Sequence, residues 1–154
     1  MRRLYAFEDS ARFARAIARA IGAQVMAARV HRFPDRETIV RIPAPASREA
    51  ILVRSLNDPN RKLVETILAA DALRRAGARR VTLIAPYLPY MRQDAVFHPG
   101  EPLSQRVIGI ILGASFERVL TLEAHLHRIA RLGDVIPGDA RSLSAAPAIA
   151  AWIG

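Results

Sequence analysis

The sequence contains no cysteine, only one lysine (Lys62) and one tryptophan, and aromatic residues make up only 6% of it. Without cysteine there are no disulfide bonds, no thiolate metal sites and no cysteine nucleophile. No stretch approaches the roughly 18 consecutive apolar residues that a membrane span requires. These absences favour a cytoplasmic protein that does not enter a membrane.

Common motifs for nucleotide binding and nucleophilic catalysis are also missing. The sequence has no GxGxxG and no GxxxxGK[ST], which excludes the usual phosphate-binding loops for dinucleotides and for nucleoside triphosphates. It also lacks GxSxG, the turn that carries the nucleophile of α/β-hydrolases. A nucleotide site in this chain therefore needs another design.

The composition is that of a globular protein, with an excess of positive charge. Its 154 residues suit one domain, and its formal net charge of +9 is carried almost entirely by arginine. The planar guanidinium binds phosphate or carboxylate through paired hydrogen bonds, which favours phosphorylated ligands or nucleic acid. Genomic base bias is an alternative explanation. The arginines are scattered rather than clustered, so we favour no nucleic-acid binding and keep an arginine-driven nucleic-acid binder as a minor alternative.

Hydrophobic runs and turn residues predict strands that alternate with helices. We expect strands at residues 2–7, 25–30, 38–42, 50–54, 81–85 and 118–122. The helices between them are predicted to bury Phe13, Ile17 and Ile21; Leu63, Val64, Ile67, Leu68 and Leu73; and Val107, Ile108, Ile111 and Leu112. A short helix with Ile149 and Trp152 follows. The pattern predicts an α/β fold, a doubly wound and mostly parallel sheet with helices on both faces.

Residues 81–106 contain the strongest candidate site. A buried strand is stopped by Pro86 and Pro89, and the polar cluster Arg92-Gln93-Asp94 follows. Open α/β sheets bind ligands at the carboxyl ends of their strands. Arginine can hold a phosphate, glutamine can contact a base or ribose, and aspartate can orient the arginine. A solvated turn is the alternative interpretation, and the nearby Tyr87 and Tyr90 are interpreted as packing residues.

Glu123, His125 and His127 alternate after the strand at residues 118–122. On an extended backbone all three side chains would face the same side and could surround a divalent ion. We favour a simpler arrangement, in which a single histidine acts on a metal–phosphate complex.

Phe33, Asp35 and Glu37 place an aromatic ring beside two carboxylates, within a polar turn between two predicted strands. A purely structural hairpin is the alternative interpretation of this turn.

Four motifs follow one another along the chain. They are RFPDRE at residues 32–37, the block at residues 58–94, GEPLSQRVI at residues 100–108 and RVLTLEAHLHRI at residues 118–129. In that order and spacing the chain resembles the amino-terminal half of ribose-phosphate diphosphokinase, the family also called phosphoribosyl pyrophosphate synthetase. The resemblance implies a phosphoribosyltransferase-like domain. It also implies transfer of diphosphate from Mg-ATP to O1 of ribose 5-phosphate, giving phosphoribosyl diphosphate and AMP.

The same resemblance implies roles for individual residues in binding ATP and Mg²⁺. Phe33 would stack on adenine while Asp35 and Glu37 bind its polar edge, and this hairpin would reach the active site of a neighbouring subunit in a homo-oligomer. Arg92 and Gln93, with Asp94 beside them, would bind the nucleotide. The catalytic residues would be Arg92, which stabilises phosphate charge, and His125, which lies by the Mg²⁺-bound phosphates.

Some residues depart from the family pattern. Arg36 stands where a small or amide residue is usual, residues 95–97 replace a charged run, and Glu123 stands where aspartate is usual. These changes put in doubt the conformation of the hairpin turn and a phosphate contact after Asp94.

The sequence also lacks the acidic loop with which this family binds ribose phosphate. We therefore interpret residues 1–143 as the amino-terminal nucleotide-binding domain, and residues 144–154 as the start of a helix leading into a second domain that is absent from the sequence. The isolated half is expected to be inactive. The alternative hypothesis is a non-catalytic regulatory or scaffold relative of the enzyme.

Overall fold

A computed structural model describes residues 3–154, in which strands and helices alternate along most of the chain. The strands are β1 (Arg3–Ala6), β2 (Gln24–Ala27), β3 (Arg29–Arg32), β4 (Thr38–Arg41), β5 (Glu49–Val53), β6 (Arg80–Ala85), β7 (Arg118–Leu122) and β8 (Asp139–Leu143). The helices are α1 (Ala11–Ile21), α2 (Pro59–Arg75), α3 (Ser104–Ser115) and α4 (Ala146–Ile153). Of the predicted first strand, Arg2 lies outside the described residues.

Six strands form one parallel sheet in the order β2-β1-β5-β6-β7-β8, and β3 pairs with β4 in a separate antiparallel hairpin. In the centre of the sheet, Leu83 lies opposite Leu52 of β5 on one side and Val119 of β7 on the other. Because all six strands run in the same direction, their carboxyl ends share one edge of the sheet. The predicted α/β architecture with a mostly parallel sheet is confirmed.

The strand order reverses beside β1. The chain passes from β1 to β2 on one side and later returns to β5 on the other side. Such a switch point opens a crevice at the carboxyl ends of the two strands, because the connections leave in opposite directions.

Helices cover both faces of the sheet, as the sequence predicted. Leu4 and Ala6 of β1 pack with Ala14 of α1 on one face. Tyr5 faces the opposite side and joins the larger core, to which α2 and α3 contribute Leu63, Ala69, Ala70, Leu73 and Leu112. Side chains alternate across a strand, so neighbouring residues of β1 enter different cores.

The buried side of α1 differs in part from the predicted one. Its buried residues are Ala14 and Ala18; of the predicted residues, Ile17 packs against the core, whereas Phe13 and Ile21 are each 37% exposed. The small alanines let the helix backbone approach the sheet closely, which turns the larger apolar side chains toward its flanks.

The buried side of α2 agrees with the prediction only in part. Leu63 and Leu73 are buried as predicted, but Lys62 and Glu65 are buried too, whereas Val64 and Leu68 are exposed. A polar network beneath the first turns of the helix takes the place expected for these apolar residues. On α3 likewise, Leu112 is buried but Val107 and Ile111 are exposed.

The strand predicted at residues 25–30 is broken into two. Ala28 separates β2 from β3, and its N–H donates to the carbonyl of Ala6 at 2.9 Å. The chain thereby leaves the main sheet and enters the hairpin. The structure also adds β8, a strand that the sequence pattern did not indicate, at the edge next to β7.

Two glycines let the segment before β8 pack against α3. A Cβ atom on Gly109 would lie 2.4 Å from the carbonyl oxygen of Val135, and one on Gly113 would lie 2.7 Å from Pro137. Any side chain at either position would displace this backbone. The glycines therefore fix the path of the chain from β7 to the sheet edge.

The short helix expected near the end of the sequence is present as α4. It carries Ile149 and Trp152, whose side chains are 54% and 88% exposed. Within residues 3–154, no helix combines the length and apolar character needed to cross a membrane.

Candidate functional site

A cavity of about 400 Å³ lies at the carboxyl ends of β6 and β7. Its walls come from the loop after β6, the residues after β7 and the first turn of α2. Its polar lining includes Asn60, Tyr87, Tyr90, Arg92, Gln93, Glu123 and His125. The cavity thus brings together three residues that the sequence analysis identified in separate segments: Arg92, Gln93 and His125. Their meeting follows from the parallel pairing of β6 with β7, which places both strand ends at one edge.

The loop that carries Arg92 and Gln93 is held from beneath by α3. Gln105 is only 3% exposed, and its Nε2 donates to the carbonyl of Met91 at 3.0 Å. The backbone N–H of Gln105 donates to the carbonyl of Gln93 at 3.1 Å. Met91 is itself buried, so Arg92 and Gln93 project from an anchored backbone. This reduces the conformational entropy that the loop would lose on binding a ligand.

Tyr90 ties the loop to α2. Its backbone has a φ of 64°, its carbonyl accepts from the N–H of Gln93 at 3.0 Å, and its hydroxyl hydrogen-bonds Asn60. Tyr87, by contrast, is 51% exposed and lines the cavity. The prediction that Tyr87 and Tyr90 are packing residues is therefore wrong for Tyr87, because its ring is exposed to a ligand in the cavity.

A smaller recess of about 380 Å³ adjoins His125 and is also lined by Asp94, His127 and Arg128. The Asp94 side chain is 8% exposed and lies 3.5 Å from Nε of Arg128. The rings of His125 and His127 are 3.9 Å apart between centroids, at an angle of 60°. Asp94 thus faces the histidines and Arg128, and His125 belongs to both recesses.

Glu123 lines the same cavity as His125, but its carboxylate is bonded elsewhere. The strand β7 ends at Leu122, Glu123 has a φ of 46°, and this turn breaks the alternation expected on an extended backbone. The Glu123 carboxylate accepts from Oγ of Ser144 at 2.7 Å and from the N–H of Ala145 at 2.5 Å. Those two bonds, led by the Ser144 hydroxyl, hold the pKa of Glu123 below its usual value.

The side chains around His125 do not form a metal cage. Among residues 3–154, no group of three His, Asp or Glu side chains could hold a metal ion. Magnesium takes most of its ligands from water and substrate phosphates, and needs one or two protein atoms. A Mg²⁺–phosphate complex beside His125 is compatible with this cavity, whereas a protein cage is not.

Phe33, Asp35 and Glu37 lie in the β3–β4 hairpin and do not line the cavity. The Phe33 ring is 42% exposed and packs edge-on against His31, with 4.8 Å between the ring centroids. Asp35 accepts from the N–H of Glu37 at 3.0 Å, and Arg36 has a φ of 75°. The structure thus presents these residues outward, on a turn of their own.

Asn60 and Gln105 had not been nominated as functional residues. Asn60 lies in the first turn of α2, which begins at Pro59, and reaches Tyr90 and the cavity. A signal for Gln105 did exist, because this polar residue falls at a buried position of an apolar helix. Buried amides are hydrogen-bonded, so such a position predicts a partner elsewhere in the chain.

The chain resembles known proteins over most of its length. The bacterium Granulibacter bethesdensis has a ribose-phosphate pyrophosphokinase that is 39% identical over 140 residues, covering 89% of this chain and 44% of the relative. The protein of the same name from Agrobacterium fabrum is 35% identical over 151 residues, covering 96% of this chain and 48% of the relative. That from the archaeon Methanopyrus kandleri is 35% identical over 121 residues, covering 78% and 42%. The chain thus spans about half the length of the curated relatives it matches.

A solved structure shares the fold. The phosphoribosylpyrophosphate synthetase from Mycobacterium smegmatis superposes with a TM-score of 0.83 at 24% identity, covering 100% of this chain and 52% of that one. The family profile described as the N-terminal domain of ribose phosphate pyrophosphokinase matches residues 2–115. On these grounds the chain belongs to the ribose phosphate pyrophosphokinase family, of which it contains the N-terminal domain.

Proposed function

We propose that this chain is the ATP-binding half of a ribose-phosphate diphosphokinase. The complete enzyme would transfer diphosphate from Mg-ATP to O1 of ribose 5-phosphate and release AMP. The observation that carries the proposal is the convergence of Arg92, Gln93 and His125 on one cavity in a chain of this family. The cavity lies at the carboxyl ends of parallel strands, where α/β proteins bind their ligands.

In the proposed reaction the protein mainly positions the phosphates and offsets their charge. Arg92 would donate hydrogen bonds to phosphate oxygens and stabilise the negative charge that develops on them. Gln93 would fix the nucleotide beside it, with Asp94 supporting the loop through Arg128. His125 would contact the Mg²⁺-bound phosphates, and the bound ion would supply further neutralisation of the transferred group.

Adenine recognition is assigned to a second copy of the chain. Phe33, Asp35 and Glu37 are exposed and lie outside the cavity of their own chain. A purine stacked on Phe33 could donate its exocyclic N–H to a neighbouring carboxylate. Val64 and Leu68 of α2 and Val107 of α3 are also exposed, as expected for surfaces that meet in a homo-oligomer.

Several further features belong to the same proposal. Residues 1–143 would form the nucleotide-binding domain, and residues 144–154 would lead toward a second domain. The isolated half would not catalyse the reaction. We also propose a cytoplasmic location. A non-catalytic regulatory relative remains the competing function, and it predicts ATP binding without AMP release.

Nucleotide binding is tested by calorimetric titration of this chain with Mg-ATP. Arg92→Ala should weaken binding by about 1.5–3 kcal/mol, the contribution of a hydrogen bond to a charged group. Arg75→Ala is the matched control, because the Arg75 side chain is 80% exposed and pairs with Asp71. Equal affinity of Arg92→Ala and Arg75→Ala, with both proteins folded, would reject the role given to Arg92.

The reaction is tested in the full-length native polypeptide. Ribose 5-phosphate should make it convert Mg-ATP to AMP, with diphosphate appearing on the sugar. Release of ADP would show a different transfer. Binding of ATP without any turnover would favour the regulatory relative.

A further inference from the structure

A second and larger cavity lies at the switch point between β1 and β5, away from the proposed nucleotide site. It has a volume of about 1140 Å³ and is lined by residues that follow β1, by β2, by the first turns of α1 and α2, and by the start of the β3–β4 hairpin. The proposed reaction makes no use of it. In open α/β sheets the crevice at such a switch point is the usual place for a ligand.

The lining of this switch-point cavity combines an apolar floor with excess positive charge. Ala6, Phe7, Val25 and Ala28 contribute to the floor. Five arginines line the cavity against three carboxylates, those of Glu8, Asp9 and Glu65; the arginines are Arg15, Arg29, Arg32, Arg54 and Arg61. Low-dielectric walls lined by one excess sign of charge raise the local concentration of the opposite ion.

Two of the three carboxylates, those of Glu65 and Asp9, are already engaged with basic side chains. Glu65 is 1% exposed and lies 2.5 Å from Nη2 of Arg54, 3.5 Å from Arg32 and 3.6 Å from Arg61. Asp9 lies 3.3 Å from Arg54 and 3.0 Å from Lys62. Of the three, only the exposed Glu8 is left without an ion pair among residues 3–154, so the lining keeps its excess of positive charge.

Arg54 still has unused donors. Its side chain is 2% exposed, and its Nε and Nη1 atoms have no hydrogen-bond partner among residues 3–154. Its Cζ lies 3.7 Å from the centroid of the Phe7 ring, so one face of the guanidinium is covered. Buried N–H groups of a cation without an acceptor are costly, and in native proteins they usually find an acceptor in a ligand or water.

We propose that the switch-point cavity binds a small organic anion, whose phosphate or carboxylate group is held by Arg54, Arg29 and Arg15 while its apolar part lies on the Phe7 floor. The oxyanion would accept hydrogen bonds from Arg29 and Arg15, which are exposed at the rim of the cavity. The free donors of Arg54 are closed to solvent in this structure and would turn toward the anion when it binds. Phosphate and carboxylate share this geometry, because both match the guanidinium fork. The proposal does not depend on the activity given to the other cavity.

The Nε–H group of Arg54 reports occupancy directly. Proton–nitrogen correlation spectra of arginine side chains, assigned by triple-resonance experiments, are recorded while the chain is titrated with sodium phosphate, with sodium succinate and with sodium chloride at matched ionic strength. We expect a saturable shift of the Arg54 Nε–H signal with phosphate, succinate or both. The response to each salt identifies which oxyanion the cavity prefers.

Variants at the rim separate this site from general charge effects. Arg29→Gln and Arg15→Gln should each weaken the titration at Arg54 by about tenfold, the effect of losing one charge-assisted contact. Arg75→Gln removes the same charge at an exposed site on α2, roughly 21 Å from Arg61 along the helix axis, and should titrate as the unmodified chain does.

The proposal is overturned by any of three results. The Arg54 signal could remain unmoved by phosphate and succinate, or chloride could shift it equally. Both rim variants could also titrate like Arg75→Gln. Failure here would leave ATP binding through Arg92 untouched, since that is measured at a different cavity.

Discussion

Arg54 and Glu65 form a buried ion pair in which Nη2 of Arg54 donates to Oε2 of Glu65 at 2.5 Å. The two side chains are 2% and 1% exposed. The pair joins the end of β5 to α2, and Glu65 extends the connection to Arg32 at the base of the hairpin. One carboxylate thus links the sheet, a helix and the hairpin that carries Phe33.

Removal of one partner should expose the cost of burying the other. We expect Glu65→Ala to lower the free energy of unfolding by about 3–5 kcal/mol, because the Arg54 cation would stay buried without its main counter-charge. Urea denaturation measures the change. The control Asp71→Ala breaks the exposed Arg75–Asp71 pair, and its cost should stay below about 1 kcal/mol.

A double replacement distinguishes lost charge compensation from lost packing. Arg54→Met combined with Glu65→Leu removes both charges and retains most of the side-chain volume, so it should recover much of the stability lost in Glu65→Ala. A double variant as unstable as Glu65→Ala would show that packing around the pair, rather than its charge, sets the stability.

The same network makes acid stability depend on Asp9. Burial raises the pKa of Asp9, but the hydrogen bond from Lys62 and the charge of Arg54 outweigh it and leave the pKa below its usual value. A carboxyl with a depressed folded pKa stabilises the protein above its unfolded pKa of about 3.9. That stabilisation is lost as the pH falls through the lower folded pKa.

Asp9→Asn should therefore flatten the acid side of the stability curve. Urea midpoints measured from pH 5 downward should fall less steeply in Asp9→Asn than in the unmodified chain. Asp71→Asn, at an exposed position of α2, controls for the change in net charge. Identical slopes for Asp9→Asn and the unmodified chain would contradict the contribution assigned to Asp9.

The architecture was predictable because it follows from local patterns. Buried strands such as β6 and β7 are continuous apolar runs, and parallel pairing then places their ends together. The proximity of Arg92 and His125 could be predicted from this parallel pairing alone. The outward position of Val64 could not be predicted the same way, because Glu65 is buried by ion pairs with Arg54, just after β5, and with Arg32 of the hairpin.

Local backbone geometry explains why the structure differs from the prediction at Glu123. The sequence near Glu123 reads as a continuation of β7, but the positive φ of Glu123 reverses its side chain toward Ser144. The donor Ser144 directly follows β8, a polar strand with no hydrophobic period of its own. Sequence periodicity carries no information on such a contact, so the alternation of Glu123 with His125 was misleading.

Arg36 should be a strained position in the hairpin turn. Its φ of 75° is a left-handed conformation that costs an ordinary residue about 1–2 kcal/mol and glycine almost nothing. Arg36→Gly should therefore raise the free energy of unfolding by up to about 1 kcal/mol, after the greater unfolded-state entropy of glycine is subtracted. Urea denaturation of the chain provides the measurement.

A glycine elsewhere in the hairpin should have the opposite effect. Arg41 lies within β4, where glycine weakens a strand, so Arg41→Gly should lower stability by about 0.5–1 kcal/mol. If Arg36→Gly were as destabilising as Arg41→Gly, the Arg36 side chain would have to contribute more than its backbone conformation costs.

The outward position of Phe33 leads to a prediction for the assembled enzyme. If each hairpin serves the cavity of a neighbouring copy, then full-length Phe33→Ala and full-length Arg92→Ala should each be inactive alone but partly active together. Each site takes its cavity from one copy and its hairpin from another copy. Random mixing therefore leaves about a quarter of the sites with both parts intact. Co-expression with two affinity tags isolates the mixed oligomers, and AMP release measures their activity.

The double variant Phe33→Ala/Arg92→Ala, co-expressed with an Arg92→Ala partner, offers no intact cavity and should stay inactive. Mixed oligomers no more active than this control would place adenine recognition elsewhere.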